Sequence, residues 1–315
     1  MVAIGGGHGL SRTLEALLRA GHQPTAVVTV ADDGGSSGRL RRDHGVIAVG
    51  DMRMALLTLA GPTPTARLFA HRFGRGDLEG HALGNLALLA LAETHGGDFV
   101  AAVDEAAVLL GCRGRVIPCT VDDVTLVAAV DGAEVAGQVA VAQTPGHHSS
   151  VWLEPREPAA CPDAVEAIAG AGALVLGPGS LFTSIIPNLL VPGIAAAVAA
   201  SRAPIAYVAN LTAQPGETGD MDLQAHVDAL LAHLPGGRDV DVVAHVGAAP
   251  QGAGTPLAPQ VAGDRVGRLH TADMALRRTD GAVVAAHDPD ALSLVLQQFL
   301  SSRGLRARGE PLAGP

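Results

Sequence analysis

Aromatic residues make up only 2% of the 315-residue chain: one Trp, one Tyr and five Phe. A core must therefore be built from Leu, Val, Ile and Ala, and the 48% hydrophobic share is enough to supply a large one. Positive charge is also scarce, since 21 Lys and Arg against 31 Asp and Glu leave a net charge of −10. That balance, with no basic patch, argues against nucleic-acid binding and against adhesion to anionic lipid. The three cysteines, Cys112, Cys119 and Cys161, form no CxxC pair. So sparse a count fits a reducing cytosol, with Cys as small apolar filler. No basic segment precedes the first apolar run, so no signal peptide is expected. HExxH and a cysteine nucleophile with a paired base are missing. None of the thirteen histidines has zinc-site spacing, and His147-His148, in a Gly/Ser loop, reads as surface.

Charge is absent from 167–201, a stretch long enough to span a bilayer. However, Gly177-Pro178-Gly179-Ser180, Pro187, Asn188 and Pro192 interrupt it. The expected reading is strand, turn, helix, turn, helix, buried against a sheet, with no membrane insertion.

Forty Gly and twenty Pro are abundant, and in a chain this apolar they mean tight turns rather than disorder. The apolar run at 2–4 ends in "GGGHGLS". Leu10, Leu14, Leu17 and Leu18 then recur at helical spacing, predicting a helix over about 10–20 with Gly21 at its C-terminal cap. "TAVVTVA" (25–31) reads as a buried parallel strand. Strand, glycine turn, helix and strand make half of a nucleotide-binding β-α-β fold. Helices are expected at "GDMRMALLTLA", "GHALGNLALLALAE" and "DFVAAVDEAAVLLG". Turn chemistry at Asp131-Gly132 marks a small antiparallel insertion at about 116–155. Strands follow at "GALVL", "PIAYVANL" and "VDVVAHVG". Near the end a strand runs into a helix with Asp288 as N-cap and Pro289 in its first turn. One domain over 1–300 and a flexible polar tail at 301–315 are expected.

Four loops carry the candidate site. In the first, Gly5, Gly6, Gly7, His8, Gly9 and Leu10 form a glycine turn at a helix start. There backbone amides and the helix dipole would receive a phosphate. Leu10 stands where the strict dinucleotide fingerprint has its third glycine. The second is "ADDGGSSGR". Asp32 or Asp33 sits where an acid accepts ribose hydroxyls, or the two could hold Mg²⁺. Gly35, Ser36, Ser37 and Arg39 would contact phosphate or sugar. An ordinary Asp-Asp-Gly turn would not need so many small residues. The third loop, Gly177, Pro178, Gly179, Ser180 and Thr183, with Asn188 behind it, repeats the logic of the first. The fourth, Asn210, Thr212, Gln214, Glu217 and Thr218, also follows a buried strand. Two weaker candidates are Asp51, beside Arg53 at a helix start, and Asn85, a polar residue in an apolar helix that needs a partner.

Together the blocks "VAIGGGHGLS", "VTVADDGGSSGRLR", "GDMRMAL", "LGNL", "GPGSLFTSIIPNLLV" and "TAQPGET" resemble the gluconeogenesis factor family. These are YvcK-like bacterial proteins, distantly related to 2-phospho-L-lactate transferase, and the match spans about residues 2–300. The resemblance implies an α/β, CofD-like fold with a Rossmann-type parallel sheet core and helices on both faces. It implies a cytoplasmic protein that binds a nucleotide-containing ligand, a UDP-sugar such as UDP-N-acetylglucosamine or a dinucleotide. It further implies a role in cell shape and cell-wall precursor control during gluconeogenic growth, with regulatory protein partners and a homo-oligomeric state expected. The family's usual Thr is His8 here, its usual Asn is Met54, and its usual Tyr is Phe182. The regulatory phosphothreonine that members carry near the C-terminus has no counterpart after Thr279. On this reading the protein is a nucleotide-sugar-binding regulator. The alternative is a Mg²⁺-dependent transferase acting on a nucleotide-activated phospho-compound. NAD(P)-dependent redox chemistry rests on fold analogy alone.

Overall fold

The structure, a computed structural model, describes residues 1–248, 250 and 254–305. In chain order the first strands are β1 (Val2–Gly5), β2 (Thr25–Val28), β3 (Arg115–Pro118), β4 (Thr125–Val130), β5 (Ala133–Ala136) and β6 (His148–Glu154). They are followed by β7 (Leu174–Leu176), β8 (Ile205–Val208), β9 (Val240–His245), β10 (Val266–Ala272), β11 (Ala275–Arg277) and β12 (Val283–His287). Seven of them form one sheet in the order β3-β2-β1-β7-β8-β9-β10, with every pairing parallel. The uncharged, β-branched runs end up in its middle. Every residue of β1, β7, β8 and β9 is buried, as a sheet covered on both faces requires.

Helices supply the cover. They are α1 (Gly7–Arg19), α2 (Gly35–His44), α3 (Gly50–Ala60), α4 (Pro64–Ala70), α5 (Leu83–Thr94) and α6 (Phe99–Leu110) in the first half. Then come α7 (Gln138–Gln143), α8 (Pro162–Ala169), α9 (Ile186–Leu189), α10 (Pro192–Ala200), α11 (Leu223–Ala232) and α12 (Pro289–Ser302). A π-helical turn at Leu181–Ile185 runs into α9. The α1 stripe of Leu10, Leu14 and Leu17 is buried, and α1 packs on α3 and α12. Asp288 caps α12 through the amides of Asp290 and Ala291, with Pro289 in the first turn. Among the described residues no single helix is long and apolar enough to cross a membrane. The 167–201 stretch is β7 followed by short helices, two of which meet at a 75° bend.

Three expectations shift. The antiparallel insertion is β5-β4-β6 with α7, so it begins at Thr125, whereas 116–118 pair in parallel with β2. The "GGSSG" stretch is not a loop but the start of α2. Gly38 lies so close to the Asp33 carbonyl that an added Cβ would stand 1.8 Å from its oxygen, so only glycine allows this helix to seat. At the other end, Ser301 and Ser302 complete α12, and Arg303 binds the buried Asp241 through Nε at 2.9 Å and through Nη2. Of the expected tail, 306–315 lie outside the described residues.

Candidate functional site

In the main sheet the strand order reverses beside β1: β2 lies on one side of it and β7 on the other. Ligands bind at such switch points, outside the carboxyl ends of the strands. The four loops singled out in the sequence leave the carboxyl ends of β1, β2, β7 and β8, so the parallel pairing puts them along one edge.

The first and third loops touch directly. A Cβ on Gly9 would lie 2.1 Å from the Pro178 carbonyl oxygen, so the backbones meet with no room for a side chain. From within α1, the Thr13 hydroxyl donates to the Gly177 carbonyl at 2.6 Å. Asn210, from the fourth loop, accepts from the Gly179 amide at 3.1 Å and donates to the Gly179 carbonyl at 3.0 Å. Asn188 lies below, fully buried, donating to the Gly5 and Ser184 carbonyls. It is a bolt under the loops rather than a surface of the cleft. Leu10 is likewise a core side chain, 1% exposed, and its amide is spent on Gly6. Above these contacts opens a cavity of about 500 Å³ lined by Gly6, Gly7, His8, Gly9, Arg12, Pro178, Gly179, Ser180, Ser184, Asn210, Gln214 and strand β12 up to His287.

Helix N-termini differ in how they are capped. Helices α4, α6, α11 and α12 are capped by the side chains of Thr63, Asp98, Asp222 and Asp288, whereas α5, α8 and α10 have no side-chain cap. At the edge, α1, α2 and α3 follow Gly6, Gly34 and Val49, and none has a side-chain cap. These N-termini bring positive dipole ends to this edge, which suits an anion; the Gly7 amide is taken by Asp51, and of the three helices only α1 lines the cavity. The chain contains no lysine, so cationic help must come from arginine or histidine. Arg12 and His8 line the cavity. Arg12 was missed in the sequence, although its place one turn after Gly9 was a usable signal.

The two neighbouring acids part company. Asp33 accepts the Val139 amide at 2.9 Å, capping α7 of the insertion. Asp32 accepts the Gly34 amide at 3.0 Å and turns its other oxygen toward Gly50. Its electrostatic partner is Asp51, in the first turn of α3. Burial, and then the charge of Asp32, push the Asp51 carboxyl up to about 7, against the pull of a hydrogen bond from the Gly7 amide and the charge of Arg53. Gly6 makes room for this acid, since a Cβ there would stand 2.5 Å from Asp51 Oδ2. A Mg²⁺ ion would accordingly be held by Asp32 with Asp51 rather than with Asp33, which caps α7. Two carboxylates would leave the rest of its shell to phosphate oxygens and water, as that ion prefers. No cluster of three or more potential ligands occurs among the described residues.

Behind this pair runs a buried polar chain. Arg53 Nε donates to Asn85 Oδ1 at 2.9 Å, Asn85 Nδ2 donates to Ser36 Oγ at 3.0 Å, and Ser36 Oγ lies 3.0 Å from His81 Nδ1. Asn85 thus finds the partners its burial demands. Burial, then the nearby Arg72, pull the Arg53 guanidinium below its ordinary value. Ser37 is buried against Gly50. Gly35, exposed with φ 43°, opens α2. Arg39 donates instead to the Glu79 carbonyl at 2.7 Å, away from the cavity lining.

In the fourth loop, Glu217 is the buried cap of the π-helical turn. It accepts the Phe182 and Thr183 amides at 2.6 and 3.0 Å and the Ser180 hydroxyl, while burial raises its carboxyl above the usual range. Thr218 accepts the Gln214 amide at 2.9 Å, and Thr212 bridges to Pro256. Glu217, Thr218 and Phe182 also line a second cavity of about 800 Å³, between the insertion and α11. Of the two histidines read as surface, His147 is exposed, but His148 is buried and stacks on Phe182 at 5.5 Å.

A doubly wound parallel sheet with glycine turns meeting at its switch point defines a Rossmann-type α/β protein with a cleft at that point. The chain belongs to the CofD family, the "2-phospho-L-lactate transferase CofD" model matching residues 1–259. A Mycobacterium tuberculosis protein named "Putative gluconeogenesis factor" is 44% identical over 99% of this chain and 93% of its own length. The "Gluconeogenesis factor" of Listeria monocytogenes is 41% identical over 74% of this chain and 73% of its own. A crystal structure of protein BH3568 from Bacillus halodurans superposes with a TM-score of 0.85 at 34% identity, covering 94% of this chain and 98% of that one.

Proposed function

We propose that the protein is a cytosolic nucleotide-sugar-binding regulator whose ligand is a UDP-sugar, with UDP-N-acetylglucosamine the leading candidate. One observation carries the reading: three helices without side-chain caps and two glycine turns converge at the switch point, beside a carboxylate pair. The diphosphate takes the amides of His8, Gly9 and Ser180, those of Gly7 and Gly179 being engaged by Asp51 and Asn210, with Arg12 as counter-charge. Asp32 accepts ribose hydroxyls. Asn210 and Gln214 face the distal sugar. Relatives named gluconeogenesis factor support a role in growth on gluconeogenic carbon. We extend that role to cell-wall precursor supply and cell shape.

Calorimetric titration of the wild type and of Asp32→Ala with UDP-N-acetylglucosamine tests the binding reading. Affinity should fall at least tenfold in the variant, and equal affinity would remove Asp32 from the site. Growth on gluconeogenic carbon of a bacterium lacking its own gluconeogenesis factor, with and without this chain, tests the physiological role.

The pairing of Asp32 with Asp51 favours a second reading, a Mg²⁺-assisted transferase like the enzyme for which the family model is named. Metal-clamped phosphates suit that chemistry. Nucleotide released from an activated phospho-compound in the presence of Mg²⁺, and its loss in Asp51→Asn, would establish it over the regulator.

A further inference from the structure

One wall of the phosphate cavity comes from a part of the chain beyond residues 1–259 matched by the family model. Strand β12 lays Ala285, Ala286 and His287 along it, paired antiparallel to β11. The Asp288 amide binds the Met274 carbonyl at 2.7 Å and holds the end of this hairpin. His287 is buried, and its Nε2 lies 3.1 Å from the Ala209 carbonyl. Only a protonated Nε2 can bond a carbonyl, so that nitrogen is the donor. Burial keeps the imidazole neutral. Nδ1 then carries a lone pair. No hydrogen bond engages it among the described residues, and His287 lines the cavity. Ala209 directly precedes Asn210, which clamps Gly179. One line of contacts therefore joins the hairpin, the fourth loop and the phosphate turn.

We propose that His287 is a specificity-determining residue whose Nδ1 accepts a hydrogen bond from a hydroxyl of the sugar beyond the diphosphate, so that the C-terminal hairpin selects a glycosylated nucleoside diphosphate over the bare one. This rests on the nucleotide-sugar reading above. A fixed acceptor with one tautomer suits a hydroxyl donor and disfavours another phosphate oxygen, which has no proton to give. A site built to bond a hydroxyl discriminates against the ligand lacking it, because its buried acceptor is then left unpaired. The Mycobacterium relative extends over this segment, as its 99% coverage of the chain requires.

The test is calorimetry with UDP, UDP-glucose and UDP-N-acetylglucosamine on four proteins: wild type, His287→Gln, His287→Asn and Ala285→Leu. Gln can keep the donor to Ala209 but not an acceptor at the Nδ1 position. Asn offers that acceptor without the anchor. The exposed Ala285 can be enlarged without disturbing the core, so Ala285→Leu crowds the same wall in a folded protein. The wild type should bind the two sugar nucleotides about tenfold more tightly than UDP. His287→Gln and Ala285→Leu should lose that preference at unchanged UDP affinity, and His287→Asn should keep part of it. An unchanged preference in both His287→Gln and Ala285→Leu overturns the proposal. So does an equal loss of UDP and sugar-nucleotide affinity in His287→Gln, which would mark a structural role. A wild type that binds UDP as tightly as its sugar derivatives overturns it while leaving nucleotide binding intact. A wild type that binds none of the three overturns the parent reading as well.

Discussion

Asn210 and Gly179 exchange two hydrogen bonds, the side-chain amide accepting from the Gly179 N–H at 3.1 Å and donating to its C=O at 3.0 Å. The pair ties the loop after β8 to the loop after β7, so the two move as one wall of the cleft. Asn210→Ala removes both bonds and leaves a partly buried peptide unsatisfied, at a cost of about 1–3 kcal/mol. For a chain this size that is a fall in Tm of a few degrees. Scanning fluorimetry should show it, together with weaker UDP-N-acetylglucosamine binding by calorimetry.

Two glycines of the first turn should respond differently to alanine. At Gly7 the φ is 61° and nothing stands near an added Cβ, so the cost is conformational strain of about 1–2 kcal/mol. At Gly9 the new Cβ meets the Pro178 backbone at 2.1 Å, and the β1 and β7 loops must separate. Gly9→Ala should cost about 3 kcal/mol or more. Urea unfolding of the two variants measures the difference, and equal costs would contradict the close approach.

Asp51 holds its proton more tightly in the folded state, up to about 7 against an ordinary 3.8. Its contribution to stability is therefore complete below about pH 3.8 and is lost as pH rises through 7. Asp51→Asn should be stabilised relative to wild type at pH 8, with the gain shrinking by pH 5. Millimolar Mg²⁺ should raise the wild-type Tm at pH 8 and leave the variant unmoved. Equal responses would remove Asp51 from metal binding.

His287 has the opposite sign. Burial lowers its imidazole to about 4 from an ordinary 6.5. The stability tied to its neutral form is present above pH 6.5 and drains away as pH falls toward 4, by about 3 kcal/mol. Denaturant titrations between pH 7 and 4 should show that loss in the wild type and a shallower slope in His287→Gln.

Arg303→Ala would leave Asp241 buried without its counter-charge, since Asp241 is 0% exposed and the remaining contacts are the Arg268 amide and His270. Such orphaned charges cost about 3–5 kcal/mol. A Tm lowered by several degrees would confirm that the last helix is anchored to β9 rather than frayed.

Legibility in the sequence followed locality. The β1-α1-β2 opening, the α3, α5 and α6 helices and the Asp288 cap each depend on residues within a few positions of one another, and periodicity disclosed them. The α2 helix did not show. "GSSGRLRRDH" has poor helix propensity, and it folds because Gly38 seats on the Asp33 carbonyl and Ser36 bonds Asn85, 49 residues away. The β10, β11 and β12 strands were equally hidden or unpaired in the sequence, because a strand's partner is not written in its own residues.

By itself, the sequence determined which segments are buried strands and where the chain spends its glycines, because hydrophobic patterning and backbone freedom are local properties. From these the class of fold and the four loops could be read. Only the tertiary structure decided that Asp32 faces Asp51 while Asp33 caps another helix, that Leu10 and Asn188 belong to the interior, and that His287 reaches the cleft. Those outcomes depend on the direction in which each side chain leaves a packed backbone, which is fixed when distant segments meet.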